Sequence, residues 1–333
     1  MKFFGIVLLL LLIAAGAAAY IVYAPYGPSA ETFVDVPAGT GAAAIAALMQ
    51  KNGIIRSRYS FDFLRLVSGG TLKAGEYRFN HAVPAPDVYA RLVQGDVYTQ
   101  ALTIPEGFNI FDIAAAVDTA GFSKRDVFLA AERQHTELIA DLVPPGTPPV
   151  SLEGFLFPDT YRFSRHATPV QILTAMVHRF RQATAQLDIA KTPKPDPERL
   201  FDTVTLASLI EKEVGQSTER PLVAGVFVNR LAKSMPLATD PTVIYAALLD
   251  DRWRGTIYAS DLQSPSPYNT YKHKGLPPGP ISNPGMAALH AALHPARTDY
   301  LYFVSDAAGH TRFSTGLKEH DQQVLAYREA TKH

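Results

Sequence analysis

A glutamate, Glu213, stands in an otherwise apolar helical stripe and is the side chain of this sequence best placed for acid–base chemistry. At about 100° per residue, Leu206, Leu209 and Ile210 share that stripe with Glu213. Glu211 projects well off the stripe, so we expect only Glu213 to face whatever the helix packs on. Burial disfavours the charged form of a carboxyl group and raises its pKa, which suits a general acid. The alternative is a buried, paired glutamate that holds a tertiary contact.

The composition excludes some classes of function. The chain has 333 residues, enough for two or three domains, and its 31 acidic residues balance 31 basic ones. This balance does not favour binding to nucleic acid. The chain has no cysteine, which excludes a disulfide framework and thiol catalysis.

The N-terminus carries an uncharged run at residues 3–23 that is long enough to span a bilayer. Lys2 is the only charge before it, so the N-terminus should stay in the cytoplasm and everything after Ala24 should lie outside. Tyr20 and Tyr23 would lie at the far membrane interface. A cleaved signal peptide is the alternative, but the apolar run continues past the small residues at 15–19, and its length favours an uncleaved anchor.

A short linker at residues 24–31 leads to a small unit that extends to about residue 100. Its pattern predicts a strand at 32–36, helices at 41–51 and 59–67, a returning strand at 73–79 and a helix at 86–94. The order strand, helix, helix, strand resembles a LysM-like module, a small fold that binds wall sugars. We therefore expect the α+β class.

A larger mixed domain is predicted beyond residue 101. A proline-rich loop at 264–285 is expected to present functional groups, because prolines make a loop rigid. A buried strand is expected at 300–304, with a hairpin partner at 310–314. An exposed linker at 191–198 precedes the helix that carries Glu213. The other predicted helices are 112–133, 170–186, 222–233, 240–249 and 286–293, with a last one starting near residue 318.

Six segments in fixed order resemble the endolytic murein transglycosylase family, the YceG-like proteins. The sequence Leu-Ala-Ser-Leu-Ile-Glu-Lys-Glu at 206–213 is similar to the catalytic helix of the family, and its second glutamate is Glu213. Val214 departs from the family pattern, which commonly has Thr or Ser there. The other similar segments are 153–161, 226–231, 239–245, 268–271 and 275–281.

The resemblance implies a peptidoglycan lyase. Such an enzyme cleaves glycan strands between N-acetylmuramic acid and N-acetylglucosamine and leaves 1,6-anhydro-muramic acid ends. Glu213 would act first as acid and then as base, with no cofactor and no metal. The implied organisation is an anchor at 1–24, a LysM-like domain at 30–100 and a catalytic domain at 101–330 with its core at 151–320. The protein would be single-pass in the inner membrane, with a periplasmic catalytic domain and possible partners in wall synthesis.

Four further residues are candidates for contact with the substrate. The first of them is Asp240. Its carboxylate would steady positive charge on the sugar ring, although its Asp-Pro context also suits a helix cap. Glu153 would position sugar or pair with a cation. Asn229 and its neighbour Arg230 would lie near the cleft, although Arg230 could instead pair with Glu211 or Glu219.

The proline-rich loop adds three candidates: Tyr268 and Tyr271 to stack on sugar rings, and Asn269 to bond an N-acetyl group. A turn shaped by prolines is the alternative. His290 and His294 have the helical spacing of zinc ligands but lack the glutamate of a metalloprotease motif, so no metal is expected.

Two other functions remain open. One is a wall-glycan hydrolase that uses Glu213 and Asp240 and releases a product one water heavier than the anhydro form. The other is a membrane-tethered wall-binding scaffold, which would bind sugar without turnover and would be indifferent to changes at Glu213.

Overall fold

A computed structural model describes residues 2–146, 148–187, 196–214, 216–306 and 310–330. Helices and short two-stranded sheets both occur in this part of the chain, which confirms the α+β class. The predicted linker at 191–198 lies mostly outside the described residues, as does Gly215. The chain divides into two units, Met1–Gln100 with Arg162–Arg165, and Ala101–Tyr161 with His166–His333.

The first unit begins with the apolar helix α1. Of the described helices, only this one is long and apolar enough to cross a membrane, over Phe3–Tyr23. Strands β1 and β2 pair in antiparallel fashion, with Val34 opposite Tyr77, and two helices connect them in the predicted order. The elements are α1 (Lys2–Tyr23), β1 (Thr32–Val36), α2 (Ala42–Lys51), α3 (Arg58–Ser68), β2 (Gly75–Phe79) and α4 (Ala85–Gln94).

The second unit is mostly helical and contains β5 paired with β6 and most of β3 and β4, which pair with each other; Gln100 of β3 and the last two residues of β4 are grouped with the first unit. Its elements are β3 (Gln100–Ile104), α5 (Ile110–Thr119), α6 (Arg125–Gln134), β4 (Asp159–Phe163), α7 (Pro169–Thr184), α8 (Pro197–Glu213), α9 (Arg220–Ala232), α10 (Asp240–Leu249), α11 (Ala259–Leu262), α12 (Met286–Leu293), β5 (Tyr302–Ser305), β6 (Thr311–Ser314) and α13 (Leu317–Ala330).

Helix α8 lies at the centre of this unit and packs on α9, α10 and α12. Its eight consecutive residues 203–210 are all buried, including two threonines and Ser208. The hydroxyl groups of Thr203 and Thr205 bond backbone carbonyls one turn back, which satisfies them inside the core. This stretch of α8 has no solvent face, so a single apolar stripe cannot show which of its side chains are covered.

Two elements of the structure differ from those predicted from the sequence. The helix expected over 112–133 is two helices, because Gly121 takes a left-handed conformation with φ of 79° and ends the first one. The side chain of Asp118 then accepts the backbone N–H of Arg125 at 3.2 Å, at the start of α6. The strand expected to be buried at 300–304 is half-buried and begins at Tyr302.

The central position of α8 predicts a large loss of stability in Leu209→Ala. Leu209 is fully buried, so its truncation should lower the free energy of unfolding by about 2–5 kcal/mol. Leu249→Ala is the control, because that leucine is 45% exposed at the end of α10. Urea unfolding of the full chain in detergent, followed by fluorescence of its single tryptophan, Trp253, measures both. Equal losses would contradict the placement of α8.

Candidate active site

Glu213 is the last residue of α8, and the chain turns away directly after it. Val214 is extended, with φ of −126° and ψ of 118°, and its side chain is buried. The helix therefore ends at Glu213 and leaves its carboxyl group half-buried beside the segment that leads into α10. The C-terminal end of a helix carries partial negative charge, which adds to the cost of ionising a carboxyl group there.

The other carboxyl group of this segment, on Glu211, is not on an open face. Its side chain is 5% exposed, receives Arg220 at 2.6 Å and accepts the backbone N–H of Gly285 at 3.0 Å. The prediction that Glu211 points away from the packed surface is therefore wrong. Its error came from treating α8 as a surface helix. Glu211 is the paired, structural glutamate of this helix.

The carboxyl group of Glu213 has no arginine or lysine bonded to it in the described contacts; its bonded partner there is the hydroxyl of Thr239, which donates to Oε1. The pKa of Glu213 is raised to about 7, mainly by burial and to a smaller extent by the negative charge of Asp240. The Thr239 bond and the charge of Arg230 oppose this rise. A carboxyl group with this pKa exchanges a proton near neutral pH.

Thr239 is held by a buried cluster of hydroxyl groups. Its backbone N–H donates to the Thr270 hydroxyl at 3.1 Å, and its carbonyl accepts the Thr242 hydroxyl at 2.7 Å. The hydroxyl oxygens of Thr242 and Thr270 are 2.9 Å apart and form a hydrogen bond with each other. The predicted proline-rich loop thus contributes Thr270, a residue that sequence reasoning did not single out. The sequence signal that could have identified Thr270 is its position between Asn269 and Tyr271 in the segment 268–271, which is similar to the family.

Asp240 is the first residue of α10, and its carboxylate is exposed. The N-cap of this helix is Thr239, and neither residue forms a side-chain cap bond, so the prediction of a helix cap at Asp240 is wrong. Its Oδ1 instead accepts the hydroxyl of Tyr271 at 2.7 Å. Tyr271 is 40% exposed, and the charges of Asp240 and Glu213 add to burial in raising its pKa. Glu213, Asp240 and Tyr271 therefore form one solvent-facing group.

Arg230 uses its guanidinium to bond backbone carbonyls rather than a carboxylate. Its guanidinium donates to the carbonyls of Leu301 and Leu237, both at 2.6 Å, and covers the ring of Tyr302 at 5.2 Å. Burial lowers the pKa of Arg230. It pairs with neither glutamate proposed for it from the sequence. Arg220 takes Glu211, and Glu219 accepts the Thr311 backbone N–H at 3.2 Å.

Glu153 lies in the core, apart from the solvent-facing group. One of its oxygens accepts the N–H of Ile110 at the start of α5, at 2.9 Å, and the other accepts the amide of Asn283 at 2.7 Å. Burial raises its pKa to about 8. Asn283 also accepts the Leu156 N–H and donates to the Phe108 carbonyl, so this buried asparagine joins three segments. Sequence reasoning missed it, because all its partners are distant in the chain.

Two more predicted residues, Asn229 and Asn269, use their side-chain amides in bonds within the fold, and Tyr268 packs on a neighbouring ring. The Asn229 amide donates to the carbonyls of Thr298 and Tyr300 at 2.7 and 3.0 Å. Asn269 is fully buried and donates to the carbonyls of Leu262 and Ser264, so the loop-shaping alternative describes it. Tyr268 is half-buried, with its ring 5.1 Å from that of Tyr245. Within the described residues, no group of three His, Asp or Glu side chains is arranged to hold a metal ion.

Comparisons with known proteins point to one family. The model of the YceG-like family matches residues 34–326. A Bacillus subtilis protein named endolytic murein transglycosylase is 35% identical over 308 residues, which cover 88% of this chain and 84% of that protein. A Streptococcus pneumoniae protein of the same name is 29% identical, and the match spans 58% of its length. The crystal structure of a putative yceG-like protein from Listeria monocytogenes is 32% identical, with a TM-score of 0.57, and covers 89% of this chain.

The raised pKa of Glu213 predicts a distinct pH dependence of stability. Between the ordinary value of 4.5 and about 7, the native carboxyl holds a proton that the unfolded chain releases, so this group makes the native state less stable as pH rises. Glu213→Gln removes that titration. Its free energy of unfolding, relative to the unchanged chain, should therefore increase from about pH 4.5 to about pH 7.

Urea unfolding at a series of pH values, followed by Trp253 fluorescence, measures this difference. The matched control is Glu198→Gln, which changes an exposed glutamate in the first turn of the same helix. The same pH trend in both variants would contradict the assignment of a raised pKa to Glu213.

Proposed function

Because this chain belongs to the YceG-like family, we propose that it is an endolytic murein transglycosylase. Its substrate is the glycan strand of peptidoglycan, which it cleaves between N-acetylmuramic acid and N-acetylglucosamine. The observation that carries the proposal is the half-buried carboxyl group of Glu213, with its pKa near 7, beside the exposed pair Asp240 and Tyr271. One carboxyl group of this kind is sufficient for the reaction.

The first step uses Glu213 as a general acid. Its proton passes to the glycosidic oxygen, the bond from that oxygen to C1 of the muramic acid breaks, and positive charge develops on the sugar ring. The desolvation that raises the pKa of Glu213 keeps the proton available near neutral pH. The exposed carboxyl group of Asp240 acts electrostatically on Glu213, which supports a role for it in steadying the positive charge of the sugar ring.

The second step uses the same residue as a base. The carboxylate of Glu213 takes the proton of the C6 hydroxyl while the C6 oxygen bonds to C1 and closes the 1,6-anhydro ring. No water is consumed, and the residue returns to its protonated form. Because the nucleophile is part of the substrate, the attack gains the effective concentration of an intramolecular reaction and needs no second catalytic carboxylate.

The exposed ring of Tyr271 is the best candidate for stacking on a sugar, because its hydroxyl is already oriented by Asp240. Tyr268 is a weaker candidate, being half-buried against Tyr245. Asn229, Asn269 and Glu153 have their polar groups bonded inside the protein, which supports a role in holding the walls of the site rather than in touching sugar.

The same proposal covers the rest of the chain. Residues 1–24 anchor the protein in the inner membrane, and residues 101–330, with a core at 151–320, form the catalytic domain on the periplasmic side. The first unit, over residues 30–100, is a LysM-like domain that binds wall glycan; its strand-helix-helix-strand order supports this. Proteins of wall synthesis are candidate partners, since a tethered enzyme acts on strands near the bilayer.

A hydrolase that uses Glu213 and Asp240 is the second candidate. The electrostatic effect of Asp240 on Glu213 favours it, because two carboxyl groups are the usual requirement for hydrolysis of a glycosidic bond. The two activities give products that differ by one water molecule.

We expect Glu213→Gln to abolish cleavage of purified peptidoglycan while the fold is kept, since glutamine has the same shape but cannot carry the proton. Mass spectrometry of the digest should detect anhydro ends from the unchanged enzyme and from Glu198→Gln. Reducing ends from the unchanged enzyme would favour the hydrolase. Cleavage by Glu213→Gln would contradict the role of Glu213, and binding without any cleavage by the unchanged chain would favour the scaffold.

Thr239→Val tests how Glu213 is positioned. The Thr239 hydroxyl lowers the pKa of Glu213, so its loss should move the alkaline limb of the kcat/KM profile to higher pH and reduce kcat by about tenfold. Thr239→Ser, which keeps the hydroxyl, should restore both. An unchanged profile in Thr239→Val, or no rescue by serine, would contradict this role.

A further inference from the structure

Helix α3, in the first unit, has three distinct faces. Phe61 and Leu64 are buried and belong to the core of that unit. The charged residues Arg58, Asp62 and Arg65 share a second face at helical spacing. The third face is apolar and points away from the core; its members follow the spacing i, i+4, i+7, i+8 and are Tyr59, Phe63, Leu66 and Val67.

The exposure of this third face is large for a water-soluble surface. Leu66 is 86% exposed, Val67 67%, Tyr59 66% and Phe63 47%. Large apolar side chains grouped on one exposed face mark a surface that contacts something apolar. An alternation of a core face, a charged face and an outward apolar face is typical of a helix that lies at a membrane surface.

Helix α1 is fixed to the same unit, so its position relative to α3 is defined. Val22, near its end, belongs to the core of the unit. Tyr26 forms a backbone bridge to Val83. Arg56, just before α3, donates to the carbonyl of Pro25 at 3.1 Å, and its guanidinium covers the ring of Tyr20. The first residues of the predicted linker at 24–31 are thus bonded to the first unit.

A groove of about 560 Å³ between α1 and α3 indicates the level of α3 along the apolar helix α1. Its α1 wall includes Ala15, Ala18 and Ala19, and its α3 wall includes Tyr59 and Phe63. Ala15 is eight residues before Tyr23, or about 12 Å back along the helix axis. If Phe3–Tyr23 crosses the bilayer, the first turns of α3 therefore lie beside a part of α1 that is within the hydrocarbon or at its edge.

We propose that α3 is a membrane-interface helix that lies in the periplasmic leaflet beside the anchor. Tyr59, Phe63, Leu66 and Val67 contact the acyl chains, and lipid also fills the groove. Arg58 and Arg65 lie at the level of the headgroups, where their guanidinium groups meet lipid phosphates. This inference depends on the anchor proposed above, but not on the catalytic activity. Its consequence is that two elements, rather than one, hold the first unit on the bilayer.

The absence of cysteine allows single nitroxide labels to test this in the full chain. Leu66→Cys reports on the apolar face, and Asp62→Cys, on the charged face of the same helix, is the matched control. Leu10→Cys reports on the anchor. Each labelled protein is reconstituted in vesicles of phosphatidylethanolamine and phosphatidylglycerol, and its accessibility to oxygen and to a water-soluble nickel chelate is measured by electron paramagnetic resonance.

The expected result is that position 66 resembles position 10, with high access to oxygen and access to the nickel chelate several-fold lower than at position 62. A label at 66 that is as open to nickel as the label at 62, with position 10 shielded, would overturn the inference and leave the anchor in place. Nickel access at both 10 and 66 would overturn the anchor as well. Leu66 is almost fully exposed, so its replacement leaves the fold unchanged.

Discussion

The desolvation of one carboxyl group determines what this site can do. Glu213 ends a helix whose residues 203–210 are all buried, and its bonded partner among the described contacts is a neutral hydroxyl rather than a cation. An arginine placed there would compensate the charge and return the pKa to the acidic range. The second unit instead directs Arg220 to Glu211 and Arg230 to backbone carbonyls. The pKa of Glu213 therefore stays raised because both arginines are bonded to other groups.

Three glutamates of the second unit show how environment separates roles. Glu211 is paired with a cation and bonded by a backbone N–H, which makes it a joint between α8 and the loop before α12. Glu153 is fully enclosed and bonded by Ile110 and Asn283, so it joins α5 to the same loop. Glu213 alone of the three has neither a cation nor a backbone N–H bonded to it in the described contacts, and its pKa is raised to about 7. The two buried glutamates therefore fix loops and helices of the second unit, whereas the half-buried Glu213 is left for acid–base chemistry.

Much of this arrangement was predictable from the sequence, and the failures have physical causes. The bounds of α10 and α12 follow from local signals, the former from proline at its first turn, and the pairing of β1 with β2 follows from their alternation. Periodicity selected Glu213 but misjudged Glu211, since a helix surrounded by others has no face that periodicity can identify. The bonds of Asn283 join residues as many as 175 positions apart, and no local pattern encodes them.

The hydroxyl of Thr239 has one more consequence. A hydroxyl group can give a hydrogen bond or receive one, whereas an ammonium or guanidinium group can only give. When Glu213 is ionised, the hydroxyl hydrogen points at the carboxylate; when Glu213 is protonated, the same oxygen can receive the acid hydrogen after a turn about a single C–O bond. The buried cluster holds the threonine backbone still during that turn. The contact thus survives both halves of a proton cycle, and the site needs no side-chain rearrangement between them.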